Sequence, residues 1–362
     1  MIVYVSLLLY LQCLSIIKLS RRAYVALSFL PLFIISAIRS PSVGNDTYQY
    51  TQLFQQYSNV SWSEVFSQTI EPGFVAFCKL ISYISNDGQW FLIASSFLIC
   101  ILVAKIVYNN SKDIVLSAFL FVSYYFYFYS FSAIRQYIAI GLAINAFYYF
   151  KEKKIAKAII FFALALSFHY TALIFMPAFI LIKLKISKRN ITVIALICIS
   201  IVVLFRSVTT YIIVHFDRFF YYRDDMVNFT GRGWDINIIL YIFFLVIIIL
   251  GIYILKRDTK FNISYFKRNT GIDTVYNDIY YYLVCMMIAL SLYIVSVSLT
   301  MAARANHYYA ILMIIYIPLI LSKMSFNNRR LILVSIKILF FIYCVLMLTR
   351  NNYYVLPYSI GI

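Results

Sequence analysis

The chain has 362 residues, 64% of them hydrophobic and 12% charged, with a mean hydropathy of +0.86 and a formal net charge of +18 at pH 7. No water-soluble core of that size hides so much apolar surface, so an ordinary soluble domain is excluded and an all-α polytopic integral membrane protein is expected. The basic residues stand in short clusters between apolar runs, with no basic domain interleaved with aromatics. That placement excludes nucleic acid as a partner and leaves membrane lipid.

The first apolar run, Ile2–Ile17, is followed rather than preceded by a basic cluster, so it reads as a spanning helix and not a removed leader. Further runs follow at 23–38, 90–108, 114–131, 133–150, 155–169, 170–183, 190–206, 236–255, 282–300, 303–322 and 331–349. With about 20 residues needed to cross a ~30 Å hydrocarbon core, they predict about 12 transmembrane helices, in the range of about 11–13. The range reflects 155–183, where two crossings share fewer than 30 residues and average about 21 Å each at 1.5 Å per residue.

Lysine-rich clusters at 18–22, 105–112, 151–157, 183–189, 256–268 and 323–337 fall on the cytoplasmic side by the positive-inside rule. Both termini then lie outside. The outer face receives a first large loop, 39–89, and a second, 207–235. Within the first, the apolar stretch 74–84 after Glu71-Pro72-Gly73 is too short to span and predicts an interfacial or re-entrant helix. Trp62, Trp90, Trp234 and the run Tyr124–Tyr129 read as an aromatic belt. No internal repeat or linker breaks the chain, so 1–362 is expected to be a single transmembrane domain. The cysteines are scattered singly in apolar segments and no acidic, His or Cys cluster has ligand spacing, so neither a metal nor a cofactor is expected.

Of the 31 lysines and arginines, nine lie outside those clusters: Lys79 and the arginines 39, 135, 206, 218, 223, 232, 304 and 350. A planar guanidinium fork grips phosphate and pyrophosphate bidentately where an ammonium offers a point charge, so this bias points to anion recognition. Capping helix ends, or pairing with Asp217, Asp224, Asp225 and Asp235, explains Arg218, Arg223 and Arg232 equally well. Arg135 and Arg304 stand where apolar runs turn, with no acid adjacent in sequence. A guanidinium in such a place is costly unless it meets an anion or a watery cavity, and Arg135 carries Gln136 beside it. Among the three histidines, His169 occupies an outer turn, where it is either a packing residue or a general base; His307 follows Arg304 and can share that role. Asp46 and Glu71 are the outer carboxylates placed to assist, although an Asx turn accounts for Asp46 as readily.

Several of these segments together resemble the bacterial exopolysaccharide and O-antigen polymerase family of the Wzy/EpsG-like type. They are Arg39 with Gly44-Asn45-Asp46-Thr47-Tyr48, Glu71-Pro72-Gly73-Phe74, Phe131-Ser132-Ala133-Ile134-Arg135-Gln136, Phe168-His169-Tyr170-Thr171-Ala172, and Ala303-Arg304 with Tyr308-Tyr309. The resemblance implies a GT-C-like architecture in the bacterial cytoplasmic (inner) membrane, with the active site facing the periplasm or exterior. It implies metal-independent joining of undecaprenyl-pyrophosphate-linked oligosaccharides, one lipid-linked chain as donor and one repeat unit as acceptor. Arg135, Arg304 and Arg39, with Gln136, would then bind the pyrophosphate, with Arg218 and Arg223 in reserve. His169 would be the base, with Asp46 or Glu71 as substitute or orienter. A chain-length regulator and a flippase would be further partners. Another lipid-linked glycosyltransferase or an O-antigen ligase is the nearest alternative, and a transporter or flippase of lipid-linked sugars the alternative from a different class.

Overall fold

The computed structural model describes residues 1–182, 184, 187–215, 234–259, 273–296 and 300–361. Among these the chain is helical, with one isolated antiparallel β-bridge between Arg39 and Ile360. The helices group into two compact units, 1–173 with 324–362, and 174–323.

The first unit begins with α1 (Ile2–Leu14) and α2 (Arg21–Ala37), then α3 (Thr47–Ser58), a 3-10 turn Trp62–Ser67 and α4 (Pro72–Ser82). It continues through α5 (Gly88–Asn110), α6 (Ile114–Ser123), α7 (Phe126–Ser132), α8 (Ile134–Lys151) and α9 (Ile155–Phe168). The second unit holds α10 (Met176–Leu181), α11 (Lys188–His215), α12 (Trp234–Thr259), α13 (Asp273–Ser296), α14 (Thr300–Ala310) and α15 (Met313–Leu321). The chain then returns to the first unit as α16 (Phe326–Thr349).

Local chemistry sets many of these boundaries. Ser20, Asp87 and Asp113 accept hydrogen bonds from the orphan amides of Ala23, Gln89 and Leu116 at 3.2, 2.9 and 3.0 Å, and so start α2, α5 and α6. Pro72 occupies the first turn of α4, where its missing N–H costs nothing. Ser61 and Glu64 form a reciprocal capping box on the 3-10 turn.

Among the described residues, five helical stretches are long and apolar enough to cross a membrane: Gly88–Asn110, Ile238–Thr259, Val275–Ser296, Ala302–Leu321 and Phe326–Thr349. A sixth arises if α6 and α7, bent by 52° at Tyr124–Tyr125, count as one broken span. Tyr125 stands in the left-handed region at φ 77, which breaks the helix there. Where they are described, the apolar runs read from sequence are largely helical, and the short run after Glu71 is the 11-residue α4. The Tyr124–Tyr129 run departs from expectation. Instead of facing a membrane interface, Tyr124 to Phe128 are all buried, and the Tyr127 hydroxyl donates to the Leu32 carbonyl at 2.7 Å.

In the first unit α8 is the core element: every residue from Gln136 to Tyr148 is buried. A helix apolar on all sides belongs inside a bundle. It packs on α5 so closely that a Cβ on Gly141 would lie 2.8 Å from the Leu102 Cβ. By contrast α16 keeps Leu331, Ile338 and Ile342 exposed at 70%, 55% and 52%, as a lipid-facing helix does.

The C-terminal segment folds back over the start of the first loop. Ser40 N donates to the Ser359 carbonyl at 2.8 Å, Gly361 N to Ile38 at 2.9 Å and Gly44 N to Tyr354 at 2.9 Å. The hydroxyls of Tyr4, Tyr125 and Tyr358 donate to the carbonyls of Val355, Asn352 and Ile35 at 3.2, 3.1 and 2.9 Å. Segment 38–44 is thereby fixed on both sides. In the second unit α13 packs on α11, α12 and α14, and the Tyr316 hydroxyl donates to the Ile247 carbonyl at 3.2 Å.

Candidate active site around Glu71, Arg135 and His169

Three helix ends of the first unit converge on one carboxylate. Glu71 precedes α4, Arg135 is the second residue of α8, and His169 follows the last residue of α9. His169 Nδ1 lies 2.7 Å from Glu71 Oε1, which also accepts from the Tyr170 amide at 3.4 Å. Glu71 Oε2 accepts from Arg135 Nη1. The Glu71 side chain is 7% exposed, while Arg135 and His169 keep 22% and 16%. The carboxylate is therefore enclosed, and the two groups it holds remain reachable.

Glycine makes this convergence possible. A Cβ on Gly73 would lie 2.2 Å from Ser167 Oγ and 2.7 Å from the Ser167 carbonyl oxygen. With hydrogen alone in that place, α4 sits directly against the end of α9, and Glu71 reaches His169 from two residues away. Aromatic rings complete the setting. The Arg135 guanidinium carbon is 5.5 Å from the Phe74 ring centre and 5.9 Å from that of Tyr50, and it interacts with the Tyr50 hydroxyl. Arg135 Nε is buried without a hydrogen-bond partner among the described residues.

Burial alone would raise the Glu71 pKa, but the hydrogen bond from His169 and the Arg135 charge outweigh it and bring it down to about 2. Glu71 is thus a fixed anion over any working pH. Bound through Nδ1 to that anion, the neutral His169 ring carries its proton on Nδ1 and its lone pair on Nε2. That is the tautomer a general base needs. The arrangement can hold an imidazole ready to take a proton beside a guanidinium able to meet an anion.

The other predicted residues are distributed unevenly. Arg39 is 1% exposed: its Nη1 donates to the Ser36 carbonyl and to Ser96 Oγ at 3.1 Å, and its guanidinium carbon stands 4.5 Å from the Phe131 ring centre. Asp46 precedes α3 and accepts from Asn45 Nδ2 at 2.8 Å, without capping the helix. Its neighbours tie the first motif to the third: Asn45 N donates to Ser132 Oγ at 2.9 Å and Thr47 Oγ1 to the Phe131 carbonyl at 3.0 Å. Gly44, at φ +107, leaves room for the Phe131 Cβ. Gln136 is buried within α8. Arg304 is exposed and His307 half-buried on α14, in the second unit. Arg218 and Arg223 lie outside the described residues.

Two features escaped sequence reasoning. Arg135 has no acid adjacent in sequence, and Glu71 supplies one from 64 positions away. Helix α3 lay hidden in a predicted loop, although Tyr50, Phe54 and Tyr57 recur at helical spacing and are all buried.

The sequence model of the EpsG family matches residues 22–360, nearly the whole chain, and the chain belongs to that family. No curated protein and no solved structure matches it.

Proposed function

We propose that this EpsG-family membrane protein is a polysaccharide polymerase that joins undecaprenyl-pyrophosphate-linked oligosaccharide repeat units on the outer side of the bacterial cytoplasmic membrane. The observation that carries this reading is the His169–Glu71–Arg135 cluster: a base held in its working tautomer beside a partly open guanidinium.

In this reading the acceptor hydroxyl gives its proton to His169 Nε2 as its oxygen forms a bond to the anomeric carbon of the donor chain. The bond from that carbon to the pyrophosphate oxygen breaks, and undecaprenyl pyrophosphate leaves with the electron pair. Arg135 meets the charge that develops on the leaving group, and its unpartnered Nε is a further donor for it. Glu71 touches neither substrate; it sets the His169 tautomer and holds Arg135 in place. The buried Arg39 and Gln136 belong to the packing of the same unit. Among the described residues no three His, Cys, Asp or Glu side chains gather as metal ligands, and the proposed transfer uses none. One displacement of this kind inverts the anomeric centre.

The test gives the purified protein a synthetic polyprenyl-pyrophosphate-linked repeat unit in the presence of chelator. A ladder of longer lipid-linked products with inverted linkages supports the proposal. Movement of the lipid-linked sugar across proteoliposomes without a ladder would make the protein a transporter, and product NMR showing retention would rule out the single displacement.

A further inference from the structure

At the far end of α2 and α5 from segment 38–44, the turns α1–α2 and α5–α6 line an open recess of about 350 Å³. Its polar lining is Ser15, Arg21, Tyr24, Lys112 and Asp113, with Leu19 at the side. We propose that this recess binds the phosphate of an anionic phospholipid headgroup.

The two cations are prepared differently. Arg21 Nε donates to the Tyr108 carbonyl at 2.7 Å and its Nη2 to that of Ser111 at 2.8 Å, with the guanidinium carbon 5.5 Å from the Tyr108 ring centre. One edge of the fork is thus pinned on the last carbonyls of α5, and Nη1 is left for a ligand. Lys112 is exposed and makes no hydrogen bond or ion pair with any described residue. The recess holds one acid, Asp113, and it is already engaged: its Oδ1 accepts from Leu116 N at 3.0 Å, and Lys337 of α16 lies within electrostatic reach. A phosphate entering between Arg21 and Lys112 therefore meets two cations and a largely compensated carboxylate. The exposed Lys18 and Arg22 add to the attraction from the rim.

Apolar neighbours favour a lipid over free phosphate. Ile16 and Ile17, directly after Ser15, are 82% and 55% exposed. A bound headgroup would place its acyl chains against them, and free phosphate gains nothing there.

The full chain in neutral detergent would be titrated with short-chain phosphatidylglycerol, phosphatidylcholine or inorganic phosphate, and retained ligand counted by native mass spectrometry. Phosphatidylglycerol should be retained over phosphatidylcholine. Lys112→Gln should weaken retention about fivefold, and Lys112→Glu should weaken it further. Lys79→Gln, which removes one charge outside the recess, should change nothing. Because Arg21 also caps α5, the Lys112 variants and not Arg21→Gln carry the test. Equal retention of both lipids, unchanged retention by Lys112→Glu, or displacement of phosphatidylglycerol by equimolar inorganic phosphate would each overturn the proposal.

Discussion

Two arginines of the first unit have opposite surroundings. Both leave a buried Nε unmet among the described residues, but Arg135 faces a carboxylate and keeps 22% of its side chain accessible. Arg39 is shut in at 1% exposure and rests on a carbonyl, a serine hydroxyl and the Phe131 ring. The first can exchange partners with an incoming anion; the second cannot without opening the unit. A guanidinium amid apolar sequence therefore marks a site only where the fold leaves it a way out, and burial, not residue type, separates the two.

Changes at the open cluster should be the most severe. Replacing His169 with Ala removes the proposed base and should lower polymer formation about 10²-fold or more with the protein still folded, as size-exclusion and ladder assays would report. Glu71→Gln keeps the shape but loses the anion that selects the tautomer, and activity should fall about 10–100-fold. Selective ¹⁵N labelling of the three histidines should show the His169 proton leaving Nδ1 in that variant. An unchanged tautomer would remove Glu71 from its assigned role.

Gly73→Ala attacks the same geometry from behind. Its methyl meets the Ser167 carbonyl, which cannot rotate away, so α4 must retreat from α9 at a cost of about 1–3 kcal/mol. Activity should fall about tenfold, and Ser167→Ala should fail to restore it, because the backbone oxygen remains. Restoration would mean that only the Ser167 hydroxyl was in the way.

The smallest expected effect concerns acid. The Glu71 pKa is held near 2 against an ordinary 4.5, so the carboxylate's stabilising contribution is complete above about 4.5 and is lost as pH falls through 2. In detergent, the melting temperature of the wild type should decline across that window. Glu71→Gln should flatten that part of the decline, and no equivalent change should follow Arg39→Met.

Much of the helical framework was legible, because apolar runs in a membrane chain can satisfy their backbones only as helices. What stayed hidden depended on distance in sequence or on a single backbone angle. The run 114–131 shows neither Gly nor Pro, and only the φ of Tyr125 divides it. The strap from Asn351 to Gly361 has no periodicity, and its backbone partners lie at 38–44. For the site, the chemistry-bearing residue types were visible as short motifs, but the pairing of Glu71 with both Arg135 and His169 was not. Helical spacing at Tyr50, Phe54 and Tyr57 did foreshadow α3, in a segment whose polar residues made it read as loop.

The contrast between the two arginines is tested most directly by making the same substitution at both, Arg135→Met and Arg39→Met, and measuring ladder formation from a polyprenyl-pyrophosphate-linked repeat unit with protein matched for folded fraction. Arg135→Met should lose about 10²-fold or more in rate. Arg39→Met, which exchanges a buried cation without a carboxylate partner for an apolar chain of similar length, should stay within about threefold of wild type. A folded Arg39→Met that makes no polymer, beside an active Arg135→Met, would contradict the account and move the anion site to Arg39.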